Sequence, residues 1–528
     1  MKKRIIIALL SLVLLGTALL PPGARAASDL DEFEGINNII MERPLQRLEL
    51  PKGNFTVTFQ TTVKRAPANA VDLSAAQDRS VLGWVRSSQV IIGGEGGVNA
   101  GESCNYMLSH SRLSGVTLAG ALFTGHARSM RGMFKGSENL MTLNLRGLDT
   151  RNVTDMSQMF AGCAGLRQLD LRDWNTYSVK DMSYMFSGCE SLTILDLSHL
   201  DTSSALTMEG MFSGCRGLGG LTLTGMKTSS VVNMSEMFAD CERLTVMEVS
   251  GLDTSAATDL SEMFRGCTAL ERLDLSGWNT ARVTDMSGMF RDCASLVSPE
   301  ISGFDTSSVV DLSEMFYRCG SLRRVETGGW NTSHVVDMSG MFLGCGALEY
   351  VETNPWDTGR VVNFSRMFYG CGKIAGLEVS WWNTGSAVRM DQMFFRCGSL
   401  RKLDVSRWDT SRVADASWMF MECAALKTLD VSGWNTERMA RINGMFRGCA
   451  ALEAVDVSAW KTGSLTQMTG TFRDCPRLKT PDVSGWNLRN VAQPELYWSE
   501  FLDDGHMVNG MNWQAGLAAM QAEQKEAA

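Results

Sequence analysis

A phenylalanine recurs every 26 residues from Phe134 to Phe472, fourteen times, without an insertion or deletion. Three residues after each sits a cysteine, from Cys163 to Cys475, with Ser137 in its place in the first unit. A fixed period in this range is the signature of stacked supersecondary units. Each unit then contacts only its neighbours, so a chain of 528 residues needs no single compact core. The repeat therefore directs the reading towards a solenoid, and a solenoid towards binding.

One unit reads "VTDMSQMFAGCAGLRQLDLRDWNT", from Val153 to Thr176. Met156, Met159, Phe160 and Cys163 fall at i, i+3, i+4 and i+7, which predicts a short helix with one apolar face. Asp155 is its expected N-cap and Gly162 its stop. Asp259 with Glu262, and Asp311 with Glu314, have the spacing of a capping box. Leu169-Asp170-Leu171 alternates in-out-in, which predicts a strand with one buried face. Asp173-Trp174-Asn175-Thr176 then turns the chain, because Asn and Asp side chains bond nearby backbone groups. Stacked units place these strands in parallel register about 4.8 Å apart.

The flanks differ from the array. Lys2, Lys3 and Arg4 precede an apolar stretch from Ile5 to Leu20, and Ala24-Arg25-Ala26 supplies small residues at the usual cleavage offsets. Residues 1–26 are expected to be a signal peptide cleaved near Ala26. The apolar stretch is too short for a comfortable membrane span, and no second one follows, so a secreted or surface location without a transmembrane segment is expected. Residues 27–130 read as a β-rich N-terminal cap with a degenerate repeat: "NFTVTFQTTV" alternates, and "VLGWV" and "QVIIGGEGGV" look like short strands closed by glycines. The regular array spans 131–490. Residues 491–528 lose the period and are expected to form a helical C-terminal cap, since an end coil otherwise exposes its core.

The pattern "LxxLDLSxWxTS-xVxDMSxMFxGCxxL" resembles the 26-residue repeat of bacterial surface proteins in the BspA-like leucine-rich-repeat group. The segment "VLGWVRSSQVIIGGEGGVNAGESCNYMLSH" is similar to the stretch before the array in such proteins. The resemblance implies a leucine-rich-repeat-like α/β solenoid of about fourteen coils, with a parallel β-sheet on one face and short helices on the other. It also implies an exported protein that binds proteins or glycans of host or neighbouring cells.

The cysteine ladder invites a disulfide or metal reading. Metal sites need ligands converging at close spacing, and disulfides need Cβ atoms about 3.8 Å apart. One cysteine per coil with parallel side-chain vectors fits neither, so buried thiols acting as small apolar fillers are expected. Cys104, outside the ladder, is the expected exposed thiol. The Met, Phe and Trp ladders read as core. The middle strand residue is acidic in nearly every coil, and alternation points it outward. Within that stripe Asp274, Glu300, Glu326, Glu352, Glu378 and Asp404 are the candidate ligand-contacting residues. Like charges in neighbouring strands repel, so flanking bases such as Arg272, Arg324 and Lys402, or a basic partner, must offset them.

The five histidines form no motif, and no nucleophile elbow, HExxH or phosphate loop is present. No enzyme, cofactor or metal is expected. The net charge of −9 argues against nucleic acid as a partner. Three readings follow: a macromolecule-binding, adhesin-like surface scaffold; a structural or self-associating surface protein without a defined ligand; and a glycan-binding module using Trp381 and Trp418, which lie off the tryptophan ladder.

Overall fold

The computed structural model describes residues 38–479 and 481–492. The expected signal peptide, and the C-terminal helices from residue 493 onward, lie outside the described residues. The array is a solenoid of 26-residue coils, and each coil is a succession of β-turns. In the coil of Val153, turns close through N–H to C=O bonds from Met159 to Met156 (3.2 Å), Cys163 to Phe160 (3.0 Å), Leu166 to Cys163 (3.0 Å), Trp174 to Leu171 (3.0 Å) and Val179 to Thr176 (3.0 Å). The residues that close these turns are the buried ones. Central residues are outward in the later turns, as Arg172, Asp173 and Tyr177 are, whereas Ser157 and Ala161 in the first two turns are buried with the closing residues.

The short helix expected over Met156–Cys163 is replaced by two consecutive turns. Gln158 and Gly162, the third residues of these turns, have φ of 58° and 72°, the mark of a type II turn. Successive four-residue turns generate the same i, i+3, i+4, i+7 burial as a helix. The competition is decided by backbone hydrogen bonding. A two-turn helix leaves four N–H and four C=O groups without partners at its ends. Here the N–H groups of Met156, Gln158, Phe160 and Gly162 donate to the carbonyls of Asp181, Ser183, Met185 and Ser187 in the next coil, at 2.9, 2.8, 2.8 and 2.6 Å. Parallel bridges at this place run unbroken from Ser103 to Gln467. Asp155 does cap a local structure, but it is the turn: its Oδ1 accepts the N–H (2.9 Å) and hydroxyl (2.6 Å) of Ser157.

Side chains repeat the same coil-to-coil grammar. The fourteen Phe rings stack nearly parallel, with adjacent centroids 5.4–5.8 Å apart. Each ladder cysteine donates its S–H to the carbonyl of the Phe 29 residues earlier, as Cys319 does to Phe290 at 3.0 Å. Ser137, the single replacement, makes the equivalent bond to Leu108 O at 3.3 Å. Most buried tryptophans also reach 29 residues back, as Trp434 Nε1 does to Val405 O at 3.1 Å. Fourteen buried threonines from Thr124 to Thr462 reach forward, each donating to the carbonyl 25 residues on at 2.8–3.1 Å.

Before the array, β1 (Phe55–Gln60), β2 (Val71–Asp72), β3 (Val81–Arg86), β4 (Gln89–Gly94), β5 (Val98–Asn99), β6 (Leu113–Thr117) and β7 (Leu122–Phe123) form two sheets. The larger has the order β2-β3-β4-β1-β6, and Val57, Phe59, Val90 and Ile92 from it join the array's core. Residues expected to be a degraded repeat already form a coil in the ladder: Cys104, Tyr106 and Leu108 donate to the carbonyls of Ser129, Arg131 and Met133. Cys104 closes a turn at the slot that Met130 fills in the next coil, and it is fully buried rather than exposed. On the strand side of the array, regular pairing is local. It joins β8 (Ile194–Asp196) to β9 (Gly220–Thr222), β10 (Arg324–Val325) to β11 (Tyr350–Val351), and β12 (Gly376–Leu377) to β13 (Lys402–Leu403), all parallel. The continuous parallel sheet expected on this side is therefore absent among the described residues, and the unbroken ladder runs instead through the type II turns.

The threonine ladder gives a direct test. Thr306 is fully buried; its Oγ1 donates to Asn331 O at 3.0 Å and accepts Asn331 N–H at 2.8 Å. Thr306→Val keeps the shape and strands both backbone groups, so it is expected to cost about 1–3 kcal/mol. Thr306→Ser is expected to cost less. Denaturant midpoints of the two variants check the order.

Candidate functional site

What a coil presents to solvent is the outward residues of its turns and the outer face of its strand segment. On that face Asp274, Glu300, Glu326, Glu378 and Asp404 are exposed and Glu352 is half-buried. The register of β10 with β11 sets Glu326 beside Glu352, and that of β12 with β13 sets Glu378 beside Asp404. Their chemistry is largely local. Asp274 Oδ1 accepts the N–H (3.0 Å) and hydroxyl (2.7 Å) of Ser276, and Asp404 does the same with Ser406 at 3.1 and 2.7 Å. The serine hydroxyl bond, followed by the backbone bond, holds both carboxyls below their ordinary range. Glu326 lies 3.3 Å from the Arg324 guanidinium, and Glu352 accepts the Thr327 N–H at 3.0 Å. The acids thus help to build their own turns while remaining open to solvent.

Two residues before the acidic position lies a second outward row, of which only the bases Arg272, Arg324 and Lys402 were singled out from the sequence. It runs Ile194, Gly220, Val246, Arg272, Ser298, Arg324, Tyr350, Gly376 and Lys402. Ile194 and Val246 are 68% and 69% exposed. Arg324 covers the Tyr350 ring at 4.6 Å. Its signal in the sequence was variation, shared with the position before it, between the conserved-in-type apolar slots of Leu192 and Leu195. Trp381 is 73% exposed, with the Arg407 guanidinium 5.9 Å from its ring. Trp418 sits elsewhere in its coil, on the type II turns, so the two tryptophans do not form one platform.

A second set of acids is neither exposed nor paired off. Asp259, Asp285, Asp311 and Asp337 lie in consecutive coils on the bridge ladder. Burial, against the pull of their serine bonds, pushes Asp259 and Asp311 above the ordinary carboxylate range, and the like charge of Asp285 adds to it. The thiols are pushed the same way by burial: Cys267 and Cys397 rise to about 12. A protonated, enclosed thiol is neither a nucleophile nor a metal ligand. Among the described residues no three His, Cys, Asp or Glu side chains gather as a metal site, and no helix is long and apolar enough to cross a membrane.

The profile of a family described as "Mycoplasma protein of unknown function, DUF285" matches residues 128–247, 232–350, 336–429 and 419–501. No curated protein matches the chain. Among solved structures, a leucine-rich repeat protein from Eubacterium ventriosum is similar at 14% identity and TM-score 0.32, over 64% of this chain and 96% of that one. The Leptospira interrogans leucine-rich-repeat protein LIC12759 is similar at 14% and TM-score 0.23, over 72% and 92%. The TLR13 chain of a complex with ssRNA13 is similar at 16% and TM-score 0.24, over 73% of this chain but only 57% of that one. These scores are low, and the fold stands on the coil geometry itself.

Two outcomes are expected from the buried acids and thiols. The folded pKa of Asp311 lies above its unfolded value, so its charge costs stability at neutral pH. That cost fades as the pH falls through the folded pKa. Asn363 occupies the equivalent slot and makes the same serine bonds, at 3.1 and 2.7 Å. Asp311→Asn is therefore expected to stabilise at pH 7 by on the order of 0.5 kcal/mol, with the gain disappearing in acid. Denaturation at the two pH values checks it. A thiol reagent is expected to leave Cys104 and the ladder from Cys163 to Cys449 unmodified in the folded chain, and to label all fourteen cysteines after denaturation.

Proposed function

The chain belongs to the DUF285 family, whose description assigns no activity, and we propose that it is an exported, BspA-like surface scaffold. It binds a macromolecule of a host or neighbouring cell through the strand face. The observation that carries this reading is the two-row face itself. One row is held acidic by the turns, and the other changes from coil to coil through apolar, basic, aromatic and small residues. A fixed framework with variable outward positions presents many contacts whose identity is set coil by coil, which suits recognition of an extended partner. The six acids from Asp274 to Asp404, alternating with Arg272, Arg324 and Lys402, are the proposed contact region. A partner of mixed charge with a basic excess complements it.

The leader at residues 1–26 supports export, and the terminal segments at 27–130 and 491–528 are read as caps of the array. Catalysis has no role in this proposal. Interaction energy comes from area and charge pattern alone.

Removing residues 259–414 deletes whole repeats and rejoins the array in register. Affinity capture from extracellular matrix components and bacterial surface extracts is expected to recover a partner with the full chain and to lose it with the shortened one. Equal capture by both would place binding outside the central coils and refute the proposed face.

A further inference from the structure

The third position of the first type II turn carries Trp418, Gly444 and Gly470 in three successive coils. Nowhere else among the described residues do two glycines follow one another at this position. Elsewhere a single glycine is covered by the coil before it: Tyr184 lies over Gly210, Glu262 over Gly288 and Glu314 over Gly340. The Trp418 indole covers Gly444 in the same way, so close that a Cβ there would meet the ring at 2.7 Å. Gly470 has only Gly444 before it. The result is a groove of about 430 Å³ with the two glycines as floor and Trp418 as wall. Asn443, Gln467, Arg447 and Arg473 surround it. This volume is in the range of small-ligand sites.

The polar groups are set in place. Asn443 Nδ2 donates to Gln467 Oε1 at 2.9 Å, and Asn443 Oδ1 accepts the Thr469 N–H at 2.9 Å. The two guanidinium groups share a carboxylate: Asp474 Oδ2 is 3.1 Å from Arg447 Nε and 4.0 Å from Arg473 Nε. One positive charge is in excess. The Arg473 side chain is 34% exposed, so part of its guanidinium is open to an acceptor in the groove. Trp418 remains 37% exposed.

We propose that this groove binds one sugar unit of an acidic glycan. The apolar face of a pyranose ring rests on the indole, its hydroxyls meet the two amides, and its carboxylate takes the surplus guanidinium charge. A nucleobase also stacks on tryptophan, but a nucleic acid brings a phosphate with every unit, and a groove with one surplus charge on a chain of net charge −9 answers that poorly. Tyr369, Phe395 and Met421 occupy one turn position in successive coils and lead towards the groove, with the first two rings stacked at 4.5 Å. They offer footing to neighbouring sugars. The site is independent of the strand face proposed above, and either can fail without the other.

Calorimetric titration of the full chain with tetragalacturonic acid tests the proposal, with cellotetraose and a thymidine oligonucleotide as comparisons. Saturable binding of the uronate is expected, weaker in high salt and stronger than that of either comparison. Trp418→Ala and Arg473→Gln are each expected to lower affinity about tenfold or more, while Trp381→Ala leaves it unchanged. Thermal melts establish that each variant folds; should Trp418→Ala fail to fold, Arg473→Gln and the salt dependence decide. Absence of uronate binding, equal binding of the neutral sugar, preference for the oligonucleotide, or affinity unaffected by Arg473→Gln would each overturn the proposal.

Discussion

Backbone hydrogen bonds between coils are the interaction on which the rest of the structure depends. Every second amide across the two type II turns donates to a carbonyl 25 residues on, in the next coil, and the bridges continue from Ser103 to Gln467. Buried backbone groups must be satisfied somewhere, and a coil this short cannot satisfy them internally. The next coil supplies the partners, and it can do so only if it repeats at the same step. A single inserted residue would offset the turn amides from their carbonyls and the threonines from theirs. The unbroken phenylalanine period is the visible consequence.

The core follows from that spacing. Coils held by backbone bonds bring the Phe rings to 5.4–5.8 Å, too close for larger side chains between them and well suited to parallel stacking. The cysteine slot takes a small group that can still donate a weak hydrogen bond to the carbonyl behind it, which explains why Ser137 fits there. Polar residues of the repeat have an equally local role. Asp or Asn at the starts of turns accepts the N–H two residues on, as Asp155, Asp274 and Asn331 do. Most of what looks like surface chemistry in one coil is turn construction.

The sequence was informative about everything that repeats and about which side chains are buried. It was ambiguous about the backbone path, because paired turns and a helix bury the same residues at the same spacing. The positive φ of Gln158, Tyr184, Glu262 and Trp418 cannot be read from residue type, since such side chains seldom adopt it. Cys104 was misplaced for a different reason: counting 26 residues back from Met130 puts it in a core slot, but the phenylalanine pattern that flags a coil is missing there. Outward placement of the acids from Asp274 to Asp404 was legible from alternation. Of the variable row beside them only the bases stood out in the sequence, and the significance of the paired glycines after Trp418 emerged once neighbouring coils were aligned as physical neighbours.

A scaffold of this kind separates stability from recognition. The turns, ladders and stacked rings are common to all coils, and the departures from the pattern are where the coils differ in what they offer a partner. All of this rests on stacked turns rather than helices. Far-UV circular dichroism of residues 38–492 tests that most directly. The predicted spectrum is that of a turn- and strand-rich protein with little helical signal. Strong paired minima of the size that one short α-helix per coil would produce would contradict the account.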